Sequence, residues 1–286
     1  MYSAVLNTLF SRTMLRSCIA NKPSENYLYA ANSFLDNTTS KTNEEAIREL
    51  YKLLLSTHRN EYVYKNTLLN RIVMGRHSPR TSTAFTEVPI LNSIADFLVI
   101  NGRGTIYEVK TDLDNLDRLD SQLEDYQHAF DHVCVVCGER HLPNLMKRYA
   151  DSPIGIVVMT SRQHLSTKKE SESYTAALSH EAMFKLLRRN EYAAALALCG
   201  LIAPESSSFY YYRDCLAEFR CAPISTAHSS VLKVLKQRGA DIETDALAAI
   251  PPELRSLGYF IRISMSQSQK LMSFLHAPLP PLEVAK

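Results

Sequence analysis

Hydrophobic positions along this chain switch between helical and strand patterns, and the switches predict its elements. Over 43–57, Ala46, Leu50, Leu53 and Leu54 share one helical face, and acids fill the first turn, where they complement the positive end of the helix dipole. A second helix over 61–74 carries Val63, Leu68, Leu69, Ile72 and Val73, and Gly75 supplies a stop. After a polar stretch at 76–83 the pattern changes, and β-rich runs occupy 84–91, 94–100 and 105–111. Asn101-Gly102-Arg103-Gly104, between the last two runs, is a hairpin signal. Leu116, Leu119, Leu123, Tyr126 and Phe130 restore a helical period over 115–130, and apolar strands follow at 132–137 and 154–160. The order helix–strand–strand–strand–helix–strand–strand predicts an α/β fold, a mixed sheet flanked by helices.

Beyond 175 the chain reads as mainly helical, with stretches near 179–199, 206–220 and 226–238; Ser225 or Thr226 caps the last and Gly239 ends it. Residues 276–286 are expected to be extended. Residues 1–24 are basic and serine-rich, loosely like a transit peptide, but Leu6, Leu9, Phe10 and Met14 fit one stripe of an ordinary helix. The expected division is an N-terminal arm at 1–40, an α/β core at 41–165 and a helical region at 175–286.

Composition narrows the class. The chain has 286 residues, 45% of them hydrophobic, and can bury a core. No apolar run approaches a membrane span. Six scattered cysteines suit free thiols in a reducing cytoplasm, and Cys134 and Cys137, a C-x-x-C pair in an apolar run, read as buried strand thiols. There is no nucleophile elbow, P-loop or dinucleotide fingerprint, and His180-Glu181 has Phe184 where a zincin needs its second histidine.

Chemistry concentrates in the hairpin and the helix after it. Asp96 lies in one strand and Glu108-Val109-Lys110 in the other; Glu108 and Lys110 are two apart and share a face. With three residues in the loop, centred on Gly102, Asp96 falls opposite Glu108; an even loop sends the carboxylates to opposite faces. Two carboxylates and a lysine on one face suit Mg²⁺ or Mn²⁺, which takes one or two protein carboxylates and keeps several waters. Both acids interrupt apolar strands, where a carboxylate is costly unless paired or metal-bound.

Asp96 and Glu108-Val109-Lys110 resemble the signature of the PD-(D/E)XK nucleases, the restriction-endonuclease-like superfamily. The segment after them resembles a largely uncharacterised bacterial family within it, through Asp114, Leu116, Arg118, Leu119, Gln122 and Tyr126 and the Gly138-Glu139-Arg140-His141-Leu142 turn. The resemblance covers roughly 84–160, and Ala95 replaces the superfamily's proline. It implies a restriction-endonuclease-like sheet, metal ligation by Asp96 and Glu108, and a catalytic Lys110. It also suggests an upstream glutamate, Glu87, with Glu61 as the other candidate. Gln122 reads either as an amide orienting water or phosphate, or as the polar edge of its helix; Tyr126 reads as core.

Charge points to a separate nucleic-acid surface. Residues 81–131 hold Arg103, Lys110 and Arg118 against ten acids, a balance of −7, whereas residues 41–80 hold eight Lys or Arg against four Glu, or +4. Arg71, Arg76 and Arg80, with Arg118, are the candidate phosphate contacts. Phe209, Tyr210, Tyr211, Tyr212 and Arg213 read as a stacking platform or, at helical spacing, as partly buried core. The leading expectation is a metal-dependent cytoplasmic nuclease acting on DNA, in restriction, defence or repair. The alternative is a non-catalytic nucleic-acid-binding or scaffold protein on a nuclease-like fold. Its C-terminal helices would then dock a protein partner or a second copy of the chain.

Overall fold

Gly102 is where the hairpin turns. It takes a left-handed φ of +74°, which lets Asn101 pair directly with Arg103 across it. The structure, a computed structural model, describes residues 2–57 and 59–281. It places the hairpin in a six-stranded sheet made of β1 (Thr83–Ile90), β2 (Ser93–Asn101), β3 (Arg103–Lys110), β4 (His132–Cys137), β5 (Gly155–Met159) and β6 (Leu165–Lys169), paired in that order. β1–β2–β3 is an antiparallel meander, β3–β4–β5 run parallel, and β6 returns antiparallel. The α/β expectation, a mixed sheet flanked by helices with further helices towards the C-terminus, is the architecture observed. β6 (Leu-Ser-Thr-Lys-Lys) was not foreseen; it is a polar edge strand whose lysines oppose pairing with another sheet.

One sheet face carries Leu98, Ile100, Ile106, Val133, Val135, Ile156 and Val158, all buried in one core with Leu119, Leu123 and Tyr126 of the helix Leu119–Gln127. That helix is shorter than the expected 115–130, because residues 111–118 are non-helical, with turns at 112–113 and 117–118; Asp114 Oδ2 accepts the Thr111 amide at 2.7 Å. The helix Ile224–Arg238 packs against β2 and against the helices His180–Lys185 and Tyr192–Leu198. Its Leu232 comes so close to β3 that a Cβ on Gly104 would lie 2.6 Å from Leu232 Cδ2 and 2.8 Å from Phe130 Cδ1. Glycine is required there by contact rather than by backbone angle.

The sheet and these helices form one compact unit, Arg76–Ala240. The other unit combines the chain up to Gly75 with the chain from Asp241 onward. The boundaries therefore differ from those at 40 and 165–175. Helices between 180 and 238 belong with the sheet, and helices Thr244–Ala249, Arg255–Ile261 and Met265–His276 belong with the N-terminal helices. The N-terminal segment is folded, with Leu6, Leu9 and Met14 buried along helices Tyr2–Leu9 and Arg12–Ile19 and Phe10 buried in the bend between them. Asn43 closes this unit: 1% exposed, its amide donates to the Phe274 and Ala277 carbonyls at 3.1 Å each and accepts the Tyr27 hydroxyl at 2.8 Å. The expected helix over 61–74 is α-helical from Glu61 to Leu68 and continues in π-helical turns, Leu69–Arg76. Of the tail expected to be extended, residues 277–281 are non-helical, with Pro278 bridging to Thr42, and residues 282–286 lie outside the described residues.

Candidate functional site

The β2–β3 register runs from Asn101↔Arg103 to Phe97↔Tyr107, and one further step places Asp96 opposite Glu108. Parity then assigns Asp96, Glu108 and Lys110 to the face that carries Leu98, Ile100 and Ile106. The face is apolar where helices cover it and turns ionic at the Lys110 end of β3.

Glu108 is 2% exposed, and both its oxygens are bonded. Oε1 accepts Lys110 Nζ at 2.9 Å, and Oε2 accepts the Tyr126 hydroxyl at 2.8 Å. Lys110 Nζ also donates to Gln122 Oε1 at 2.9 Å. Gln122 and Tyr126, one helical turn apart, thus reach the same pair of strand residues. Asp96 is half-buried, and its Oδ2 accepts the Val109 amide at 2.8 Å. The Tyr126 phenol is pushed well above its ordinary range by burial first, then by the Glu108 carboxylate that its hydroxyl bonds and by the charge of Asp96.

Tyr126 is the residue the sequence reading missed. It is core, as expected, but its hydroxyl is also the second partner of the buried glutamate. The signal available was its spacing of four from Gln122.

Other candidates are not gathered here. Glu87 is exposed with a left-handed φ of +56°, and the β1–β2 ladder is interrupted between Thr86↔Phe97 and Val88↔Ala95, where Glu87 would meet Asp96. Glu61 is ion-paired with Lys65 on its own helix. Arg71, Arg76, Arg80 and Arg118 are all exposed; Arg71 belongs to the first unit, and only Arg118 adjoins the helix that carries Gln122. Among the described residues, no three His, Cys, Asp or Glu side chains stand together as a metal site. Asp96 and Glu108 do fit one hard divalent ion in donor type, since such an ion accepts two carboxylates and completes its shell with water. Cys134 and Cys137 lie three apart in β4, hence on opposite faces, and burial pushes their thiols up to about 11 and about 12. Of the aromatic cluster, Phe209 is 85% exposed rather than core, and the Arg213 guanidinium lies 4.3 Å over the Tyr210 ring. No helix among the described residues is long and apolar enough to cross a membrane.

Comparison with known proteins gives two matches. The protein Protein cII of Enterobacteria phage P4 is 30% identical over 107 residues, which is 35% of each chain, so the match spans about a third of that relative's length. No solved structure matches. The family model described as bacteriophage P4 protein cII matches residues 55–247, which include the whole sheet, Asp96, Glu108, Lys110, Gln122 and Tyr126. With more than half of its length under that model, the chain belongs to the family of bacteriophage P4 protein cII.

Proposed function

We propose that this chain is a divalent-metal-dependent phosphodiesterase acting on nucleic acid, with DNA as its substrate. The observation that carries the reading is the hairpin register, which puts Asp96, Glu108 and Lys110 on one sheet face, with Lys110 bridging Glu108 and Gln122. Asp96 and Glu108 would hold Mg²⁺ or Mn²⁺, and such an ion supplies an acidified water and charge compensation for the attacked phosphate. Lys110 would turn from Glu108 to the water or to the oxygen on which charge develops, and Gln122 would hold the ammonium in place during that exchange. Tyr126 would fix the Glu108 carboxylate from below, so that one oxygen keeps its orientation while the other is free to change partner. Glu87 stays a candidate third ligand only if its strand segment rearranges.

A second reading has its own observation. Both Glu108 oxygens are already bonded, which is the condition of a buried ion pair that needs no metal. It would make the chain a non-catalytic nucleic-acid-binding or scaffold protein, with its C-terminal helices free to dock a partner or a second copy. Incubating the protein with supercoiled plasmid and with single-stranded DNA, with and without Mg²⁺ or Mn²⁺, separates the two. Cleavage that requires the ion and disappears in Asp96→Asn supports the enzyme. The absence of cleavage with any ion supports the scaffold.

A further inference from the structure

The Gly138-Glu139-Arg140-His141 turn after β4 grips the chain just beyond Lys110. The Gly138 amide donates to the Lys110 carbonyl at 3.3 Å, and Arg140 Nη1 donates to the Asp112 carbonyl at 3.0 Å. His141 Nε2 lies 3.0 Å from the Thr111 carbonyl. Between this turn, with the helix Leu142–Arg148 that it begins, and the loop 113–117 lies an open cleft of about 740 Å³. Arg140, His141, Asn144 and Arg148 line one side, and Asp114 and Asp117 are on the other.

Of the charged side chains in this lining, Arg148 has an ionic partner and Asp114 a backbone donor. Asp114 accepts the Thr111 amide, and Arg148 is bonded to Asp120, whose other oxygen accepts the Tyr149 hydroxyl at 2.6 Å. Arg140, by contrast, uses only Nη1 among the described bonds, and for a neutral carbonyl. The sheet's acidic stretch would repel a polyanion, with a balance of −7 over residues 81–131. Arg140 is a cation that the fold brings back to this stretch from outside it.

We propose that this cleft holds a backbone phosphate of a DNA strand, with Arg140 as the principal contact and His141 and Asn144 beside it. Its placement next to the scissile bond rests on the nuclease reading, but its binding does not. Asp114 and Asp117 are both acids of the lining and set a limit on affinity.

The test is fluorescence anisotropy of a short fluorescein-labelled DNA, duplex and single-stranded, titrated with the full chain in EDTA over a salt series. Arg140→Gln should weaken binding about five- to tenfold and lower the slope of log K against log salt by about one. Arg140→Lys should keep most of the slope, and Asp117→Asn should tighten binding. Inorganic phosphate as competitor separates the sources: displacement only by DNA marks a strand site, whereas equal displacement by phosphate marks a free-anion site and overturns the proposal. With the metal chelated, cleavage plays no part. Arg140-dependent binding without any later cleavage supports the cleft and counts against the nuclease. Metal-dependent cleavage with binding unchanged in Arg140→Gln, in a variant that melts like the parent, overturns the cleft and spares the nuclease.

Discussion

The Tyr126 hydroxyl lies 2.8 Å from Glu108 Oε2 and 2.9 Å from the Ile94 carbonyl, so one phenolic proton faces two acceptors in a buried place. The arrangement ties helix Leu119–Gln127 to both strands of the hairpin through one atom. Tyr126→Phe removes that atom and leaves the inner oxygen of a buried carboxylate without its donor. The expected cost is about 1–3 kcal/mol in urea unfolding, with the helix content retained. A change below a few tenths would mean that Glu108 finds another donor and that Tyr126 serves by packing alone.

Asp96 and Lys110 should separate metal binding from chemistry. On the proposed reading Asp96 and Glu108 hold a divalent ion, so adding Mg²⁺ or Mn²⁺ should raise Tm. Asp96→Asn should abolish this rise, whereas Lys110→Ala should preserve it and lose only the cleavage proposed for this site. Scanning fluorimetry of the two variants with and without the ion checks this. Equal small effects from both substitutions would remove the reason to place a metal here.

Histidines set the acid side of the stability profile. Burial holds the His132 and His228 imidazoles below their ordinary value of 6.5, partly opposed by the charge of Asp131, and burial with Arg76 and Arg103 does the same for His77. The unfolded chain therefore takes up protons first as pH falls below about 6.5, and stability declines from that point downwards. His228→Asn removes one such group and should flatten the decline between pH 6.5 and the onset of carboxylate protonation. Tm measured across this range is the readout, and an unchanged profile would mean that His228 charges freely in the fold.

Gly104→Ala tests the close approach of helix Ile224–Arg238 to β3. The new methyl would meet Leu232 and Phe130 at distances no Cβ tolerates. Repacking should cost about 1–3 kcal/mol, and Leu232→Ala in the same chain should return part of it. Double-mutant analysis of chemical unfolding gives the coupling, and additive effects would place the strain elsewhere.

The sheet and the ionic end of β3 were legible in the sequence because both follow from parity. Asn101-Gly102-Arg103-Gly104 fixes the loop, the loop fixes the register, and the register decides that Asp96, Glu108 and Lys110 share a face. Gln122 was legible as a neighbour of that face through the helical period. Tyr126 was legible only in part: its spacing of four from Gln122 puts it on the same helical face, but its bond to Glu108 depends on how far helix Leu119–Gln127 is rotated over the strands, which no local pattern encodes. The backbone at Glu87 was not legible for a similar reason. Its left-handed backbone interrupts a strand that reads as regular. The division into units was invisible, since the contacts that define it, such as Asn43 with Phe274, join residues more than two hundred positions apart.

That long-range closure sets an order for events on the ribosome. The unit Arg76–Ala240 is one uninterrupted stretch, so all of its strands and helices can be in hand while later residues are still being added. The unit completed by Asn43 cannot form its Tyr27–Asn43–Phe274 junction until residues near 274 have emerged, and the N-terminal helices must wait with apolar faces uncovered. The unit that starts first in the sequence is therefore the one finished last. A nascent chain halted once Ala240 has cleared the ribosome should resist protease within Arg76–Ala240 and be cut within its first seventy-five residues.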